Sequence, residues 1–172
     1  MNTAAATLTQ ITKRANQRQV LSISSLAVNK IDKSLLFVKR EKYPNKGTYS
    51  LPGGRLEISE LISEGQMRET LEETGYLTAP FSLEGIECSK APPTLVTELV
   101  SDNGTTYLIM TSLYEIVGKD EGVVETDCEF EFFGIYDDHP ELEWYKTAVN
   151  EGNSTPGILK VIDYFSEYFE QV

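Results

Sequence analysis

Cysteine and histidine are scarce in this chain of 172 residues, which has two Cys and one His. The two cysteines, Cys88 and Cys128, lie far apart in sequence, so they do not suggest a disulfide framework and we expect reduced thiols. The single His139 excludes a zinc site built from several histidines, and it excludes a histidine relay. Functions that depend on a disulfide scaffold or on clustered histidines are therefore ruled out.

Long apolar runs are also absent. No stretch approaches the roughly 20 apolar residues that are needed to span a bilayer. The N-terminus MNTAAATLTQITKRANQRQ lacks the apolar centre of a secretory signal. We therefore expect no membrane segment and a cytoplasmic location. The 40% of hydrophobic residues is too high for a disordered chain, and the length suits one domain with a buried core.

Basic residues are few, with 15 Lys plus Arg against 27 acidic residues and a net charge of −12. This balance argues against nucleic acid as a partner, because phosphate binding is driven by positive charge. The charge is uneven: residues 1–52 carry nine basic and two acidic residues, and the rest carries six and 25. A solvated acidic surface explains this pattern, and so does a set of acids that converges on a metal.

The order of apolar segments predicts a single mixed α/β unit, of the α+β class, over residues 19–172, preceded by an arm or short helix at 1–18. A hairpin is expected from the strands 20–28 and 34–38. Further strands are expected at 81–88, 94–100, 105–117 and 128–136. Helices are expected at 60–74, ended by Gly75 and with Ser59 as a candidate N-cap, and after 153–157. In the last helix one apolar face is predicted from Ile158, Val161, Ile162, Phe165 and Phe169.

Three carboxylates share one side of the first predicted helix. At about 100° per residue, Glu69, Glu72 and Glu73 fall within an arc of roughly 100°. No Lys lies among them, and a hard divalent cation would neutralise their repulsion. Oxygen ligands favour Mg²⁺, or Mn²⁺, over zinc. Gly65, one turn before Glu69, lets backbone approach this helix closely, although Glu-rich helices are also commonly just solvated.

The spacing around these carboxylates is far more specific than the carboxylates themselves. The segment GRLEISELISEGQMRETLEETGY resembles the Nudix box, G-x5-E-x7-R-E-U-x-E-E-x-G-U, in which U is a bulky apolar residue. With this chain's composition, a chance match of seven fixed residues has a probability on the order of 10⁻⁶. The matching residues are Gly54, Glu60, Arg68, Glu69, Glu72, Glu73 and Gly75. The departures are Ser59 and Gly65, where Gly and Ala are usual, and Thr70 and Tyr76 at apolar positions.

The resemblance, which covers residues 19–168, implies a Nudix-type α/β/α sandwich with a central mixed β-sheet. It also implies hydrolysis of a nucleoside diphosphate linked to another moiety, with Mg²⁺ as the cofactor and Mn²⁺ as the alternative. By resemblance, Glu69 and Glu73 ligate the metal, with Glu72 as a further ligand. A backbone carbonyl of Gly53 or Gly54 adds another ligand.

The resemblance also assigns roles around the metal ligands. Arg68 and Glu60 are expected to form an ion pair that holds the helix against the loop, with direct catalysis as the less favoured role. Many members of the family use one acid beyond the box as a ligand or general base. Glu129 is our candidate for it, Glu131 shares its strand face, and the alternatives are Glu125 and Asp127.

Substrate contacts are the least specific part of the resemblance. Arg40 and Arg55 are expected to bind the substrate phosphates together with the backbone of Gly53 and Gly54, although a solvated strand end explains Arg40 equally well. Three aromatic residues are candidates for stacking on a base, and core packing is the more common role of such residues: Tyr49, Phe81 and Tyr107.

Three functions remain open on the sequence. The flanks GTYSLPGG and TPG resemble the ADP-ribose pyrophosphatase-like branch, which would give AMP and ribose 5-phosphate. A nucleoside triphosphate hydrolase, acting for example on oxidised dGTP, would give a nucleoside monophosphate and pyrophosphate. A non-catalytic nucleotide-binding module is the least favoured, because such modules usually lose box carboxylates. The expected partner is a small nucleotide, and by resemblance alone this branch admits a homodimer.

Overall fold

The computed structural model describes residues 18–41, 46–82, 93–100, 104–120, 122, 128–135 and 157–169. Within these ranges, eight strands form one mixed sheet and two helices cover it, which confirms the expected fold class. The strands are β1 (Gln19–Asn29), β2 (Ser34–Lys39), β3 (Tyr49–Ser50), β4 (Gly53–Arg55), β5 (Tyr76–Pro80), β6 (Thr94–Val100), β7 (Thr106–Lys119) and β8 (Glu129–Gly134). The helices are α1 (Ile62–Thr74) and α2 (Ile158–Phe169).

The sheet opens between its first two strands, and this opening positions the Gly-Gly loop. β1 and β2 form the expected hairpin, but their register pairs only Val28 with Leu35 and Asn29 with Ser34. At its other end β1 pairs with β4, with Ser24 opposite Gly53. β3 pairs with β2, so the connection from β3 to β4 crosses the space where the two strands diverge. On its other side β1 runs parallel to β7, which also pairs with β5 and β6.

The two helices lie on opposite faces of the sheet. The Ser25 hydroxyl donates to the Gln66 carbonyl of α1 at 3.0 Å, whereas the next residue, Leu26, belongs to the core beneath α2. Adjacent residues of a strand point to opposite faces, so α1 and α2 are on different sides. The predicted apolar face of α2 is confirmed, with these four residues buried: Ile158, Val161, Phe165 and Phe169.

Two boundaries near α1 differ from the expectation. The helix begins at Ile62 with Leu61 as its N-cap, so Ser59 is not the cap and Glu60 stays in the loop. The predicted strand 81–88 is wrong at its start, because Phe81 and Ser82 are not in a strand. Gly75, with φ of 75°, instead turns the chain straight into β5 at Tyr76–Pro80. Phe81 then packs into the core with 1% of its surface exposed.

Some expectations fall on residues that the structure does not describe, namely most of the arm at 1–18 and the segments 83–88 and 153–156. The boundary between the arm and the domain stays a prediction. Neither described helix is both long enough and apolar enough to cross a membrane.

Candidate active site

Glu69 and Glu73 of α1 converge on the Gly53–Gly54 backbone. The Gly53 N–H donates to Glu73 Oε2 at 2.9 Å. A Cβ atom built on Gly54 would lie 2.6 Å from the Glu69 Cδ, so the Glu69 carboxylate occupies the space that a side chain would fill. A Cβ atom on Gly53 would lie 2.7 Å from the Ser24 Cα. Glycine at position 53 therefore lets β4 lie against β1, and glycine at position 54 leaves room for the Glu69 carboxylate in its observed place.

Arg68 joins the loop before α1 to the carboxylates on the helix. Its guanidinium donates to both oxygens of Glu60, at 2.8 and 3.2 Å, so the expected ion pair is present. It also donates to Glu69 Oε1 at 3.0 Å and to Glu72 Oε2 at 2.9 Å. A weaker contact of 3.4 Å reaches the carbonyl of Arg55. A single cation therefore organises three carboxylates and fixes the loop against the helix.

The contacts of Arg68 shift the ionisation of the groups they join. The hydrogen bond from Arg68 lowers the pKa of Glu60, and the Glu57 backbone N–H adds to this effect. The hydrogen bonds to Glu60, and then to Glu69, raise the pKa of Arg68. Both shifts stabilise the charged forms, so at neutral pH the ion pair between Glu60 and Arg68 is held fully ionised.

Two departures from the Nudix box lie at positions with unusual local geometry. Ser59 has a φ of 71°, a left-handed conformation that favours glycine, the residue usual at this position by resemblance. A Cβ atom on Gly65 would lie 2.6 Å from Glu60 Oε2 and would also meet the Ile23 side chain. The absent side chain therefore lets Glu60 and β1 come close to α1, as the sequence suggested.

The structure places Glu129 away from the face that carries α1. Lys39 Nζ approaches Glu129 Oε2 at 3.4 Å, and this pair shares the sheet face of Phe133, which belongs to the core beneath α2. Phe130 points the other way and contacts Tyr76, just after α1, with ring centroids 5.6 Å apart. The role of Glu129 stays a prediction, and the alternatives Glu125 and Asp127 lie outside the described residues.

The two arginines proposed as substrate contacts lie at the ends of strands. Arg40 follows β2, and its backbone pairs with the residues before β3 by donating to the Thr48 carbonyl at 2.9 Å and accepting from the Gly47 N–H at 2.6 Å. Arg55 is exposed at the end of β4. Of the stacking candidates, Tyr49 and Phe81 are buried in the core, so core packing is their role, and Tyr107 is half-buried on β7.

The described residues contain no group of three or more His, Cys, Asp or Glu side chains already arranged to hold a metal ion. Arg68 engages Glu69 and Glu72, and Glu73 binds the Gly53 N–H. The absence of Lys therefore does not leave these carboxylates without a cation, because Arg68 already neutralises part of their charge. The donors beside Gly54 are nevertheless carboxylate and peptide oxygens, which suit a hard divalent cation. The residues therefore fit Mg²⁺ once Arg68 gives up part of its contacts.

Gln66 is the residue of this region that the sequence reasoning missed. Its side chain is fully buried, and it hydrogen-bonds to the backbone of β1 and β7 and to the Tyr114 hydroxyl. The available signal was a large polar residue three positions before Glu69, on the side of α1 that carries the metal-ligand candidates. Polar residues are seldom buried without such partners, so this position has a structural task.

Comparison with known proteins identifies the family. A family model of the NUDIX domain matches residues 19–150. An ADP-ribose pyrophosphatase from Methanocaldococcus jannaschii is 41% identical over 58 residues, which cover 34% of this chain and 34% of that protein. The mouse 8-oxo-dGDP phosphatase NUDT18 is 40% identical over 53 residues, covering 31% and 16% of the respective chains. Both matches thus span about a third or less of those proteins.

A solved NUDIX hydrolase from Nitrosomonas europaea shares the fold with a TM-score of 0.64, covering 90% of this chain and 91% of that chain. At 22% identity this likeness shows the fold alone. The family match, in contrast, spans all eight described strands and all of α1. By that match, the chain belongs to the NUDIX domain family of hydrolases.

Proposed function

We propose that the chain is a Mg²⁺-dependent hydrolase that cleaves the diphosphate bond of a nucleoside diphosphate linked to another moiety. Nudix hydrolases generally use a divalent metal ion, and Mn²⁺ is the alternative here. The observation that carries the proposal is the convergence of Glu69 and Glu73 on the Gly53–Gly54 backbone. Bound metal supplies positive charge that offsets the charge of the phosphates and lowers the pKa of a water nucleophile.

Individual residues of the chain have separate proposed roles at this site. Glu69 and Glu73 would hold the metal beside Gly54, whose carbonyl would be a further ligand, and Glu72 would be an additional carboxylate ligand. The ion pair between Arg68 and Glu60 keeps the loop and the helix in register. Arg40 and Arg55 bind the substrate phosphates around the same loop. Glu129 is the proposed additional acid from outside the box, although its pairing with Lys39 lies on the sheet face opposite α1.

The favoured substrate is a nucleotide of the ADP-ribose type. The match to an ADP-ribose pyrophosphatase supports it, together with the flanking segments GTYSLPGG and TPG. Incubation of the purified chain with Mg²⁺ and a panel of nucleotides, followed by chromatography of the products, tests it. Release of AMP and ribose 5-phosphate from ADP-ribose is the expected result. Turnover of no member of the panel would contradict the hydrolase proposal.

A nucleoside triphosphate hydrolase is the second candidate, and the match to an 8-oxo-dGDP phosphatase favours an oxidised nucleotide among its substrates. The same panel separates the candidates, because a triphosphate would yield a nucleoside monophosphate and pyrophosphate. We propose a cytoplasmic location for either enzyme. We also propose that the chain forms a homodimer, which light scattering of the purified chain would test.

The metal assignment has its own test. Replacement of Glu69 or Glu73 by Gln removes a negative charge at the proposed metal site while preserving the shape of the side chain. We expect each variant to lower kcat at least about 100-fold, the loss typical of misplaced catalytic groups. Glu98→Gln is the matched control, because Glu98 is exposed on β6. Unchanged turnover in Glu69→Gln or Glu73→Gln would contradict the metal assignment. If the wild type binds nucleotides without turning them over, the chain is a non-catalytic module.

A further inference from the structure

The buried side of α1 holds few apolar groups. Its buried residues are Gly65, Gln66, Thr70 and Thr74, and none of these is a large apolar side chain. An apolar stripe sets the rotation of a helix by facing the core, and the buried residues of α1 form no such stripe. The orientation of this helix therefore depends on directional polar contacts to a greater extent than that of α2, whose buried side is apolar.

Gln66 makes most of these directional contacts. Its Nε2 donates to the carbonyl oxygens of Ser24 on β1 and Met110 on β7, both at 2.9 Å. Its Oε1 accepts from the Tyr114 hydroxyl at 2.9 Å. Its own carbonyl accepts from the Ser25 hydroxyl at 3.0 Å. The N–H groups and the carbonyl oxygen of the side-chain amide are thus all hydrogen-bonded to β1 and β7, two parallel strands at the centre of the sheet.

Gln66 lies on the same side of α1 as the proposed metal ligands. At about 100° per residue, Glu69 and Glu73 follow Gln66 within an arc of roughly 60°, about 4.5 and 10.5 Å further along the axis. A carboxylate about 6 Å from the axis moves by about 1 Å when the helix turns by about 10°. Metal ligand distances tolerate only about 0.2 Å, so such a rotation separates Glu69 and Glu73 from a shared ion.

We propose that Gln66 is a positioning residue of the metal site. By anchoring α1 to β1 and β7, it sets the rotation and the axial position that bring Glu69 and Glu73 to the Gly53–Gly54 backbone. The inference rests on the proposed function, because it takes these two glutamates as metal ligands. It adds a buried amide that contacts neither metal nor substrate and nevertheless determines the affinity for metal.

The test separates positioning from stability with a pair of substitutions. Gln66→Met fills the same space without hydrogen bonds, but it leaves the buried Tyr114 hydroxyl without its acceptor and lowers the melting temperature. The double variant Gln66→Met/Tyr114→Phe also removes that hydroxyl, so its melting temperature should lie above that of Gln66→Met, while the carbonyls of Ser24 and Met110 still lack the Gln66 donor. Titration with Mn²⁺, followed by the electron paramagnetic resonance of the free ion, measures metal affinity without turnover.

We expect the double variant to bind Mn²⁺ at least about 10-fold more weakly than the wild type, although it is more stable than Gln66→Met, because changing the groups that orient metal ligands typically weakens metal binding about 10- to 100-fold. Phe165→Leu, a substitution in the core beneath α2, is the control that lowers stability and leaves Mn²⁺ affinity unchanged. Wild-type affinity in the double variant would overturn the inference and leave the proposed function intact. A wild-type chain that neither binds Mn²⁺ nor hydrolyses nucleotides would overturn the proposed function itself, and the inference with it.

Discussion

At the scale of single residues, the candidate active site depends on side chains that are absent. Gly54 leaves room for the Glu69 carboxylate, and Gly65 leaves room for Glu60 and Ile23. Gly53 lets β4 lie against β1 and exposes an N–H to Glu73. The carboxylates can approach the backbone closely only because no Cβ atom stands in the way.

Gly54→Ala tests this dependence directly. The new Cβ atom would meet the end of the Glu69 side chain, which can rotate away, so the fold should survive with little change in melting temperature. The carboxylate would then be displaced by about 1 Å or more, which we expect to lower kcat about 100-fold. Steady-state kinetics on the substrate found in the panel, together with a thermal melt, provide the measurement.

Gly118→Ala on β7 is the matched control. A Cβ atom there would have its nearest contact at 3.5 Å, with the Leu77 side chain, which is an ordinary van der Waals distance. Both stability and turnover should stay close to wild type. Equal activity of the two alanine variants would mean that Glu69 does not need its observed position.

The same residues show how far sequence can predict a site. The box spacing identified Gly54, Glu69 and Glu73 together, because that spacing encodes one helix and the loop that faces it. The contact of Glu73 with the Gly53 N–H and the Arg68 contacts to Glu69 and Glu72 did not follow from spacing. The role of Gln66 could not be predicted from the sequence, because its hydrogen-bond partners lie on strands 40 or more positions away.

At the scale of elements, the entry into α1 is held by an unusual combination of residues. Leu61 at the N-cap has no side-chain oxygen, and Glu64 instead accepts the Leu61 N–H at 2.9 Å. Two residues earlier, Ser59 adopts a left-handed conformation. A non-glycine residue in this conformation costs about 1 kcal/mol, so the loop carries strain that the helix cap only partly offsets.

Ser59→Gly should relieve that strain. After allowing for the greater freedom of glycine in the unfolded chain, we expect the free energy of unfolding to rise by about 0.5 kcal/mol. Ser63→Gly, inside α1, is the matched substitution and should lower it by about 0.5 kcal/mol. Chemical denaturation of both variants measures the difference. Destabilisation of similar size in both would show that the left-handed conformation of Ser59 carries no strain.

Elements were predictable where their pattern is local. β6 was expected at residues 94–100 and is found there, and the hairpin of β1 and β2 was also expected. β5 was missed because Tyr76–Pro80 contains a Pro and follows the helix with only Gly75 between them. Its strand conformation comes from pairing with β7, which lies more than 30 residues away. The parallel pairing of β1 with β7 is equally non-local and leaves no local pattern.

At the scale of the whole molecule, the two faces of the sheet have different tasks. The face beneath α2 holds the apolar cluster and provides most of the burial. The face beneath α1 is attached through polar groups and carries the candidate metal ligands. Each face also contains a buried phenol: Tyr114 on the α1 side and Tyr49 on the α2 side. Because each phenol is buried on a different face, the stability of the chain in alkali depends on the packing of both faces.

Burial raises the pKa of Tyr114 to about 12, and burial together with a hydrogen bond to Glu131 raises the pKa of Tyr49 to about 12. An unfolded tyrosine has a pKa of about 10. Between pH 10 and 12 the folded chain therefore keeps protons that the unfolded chain releases, so the free energy of unfolding falls as pH rises. The contribution of each phenol is fully present below pH 10 and is lost as pH approaches 12.

We expect the two phenols together to lower stability by about 2.7 kcal/mol per pH unit in this range, and Tyr114→Phe to halve that slope. The variant should also lose about 1–3 kcal/mol at pH 8, because Gln66 Oε1 loses its donor. Urea denaturation at a series of pH values measures both effects. Tyr164→Phe, at an exposed position of α2, should leave stability at pH 8 unchanged. An undiminished slope in Tyr114→Phe would mean that the phenol beneath α1 releases its proton in the folded chain as readily as in the unfolded chain.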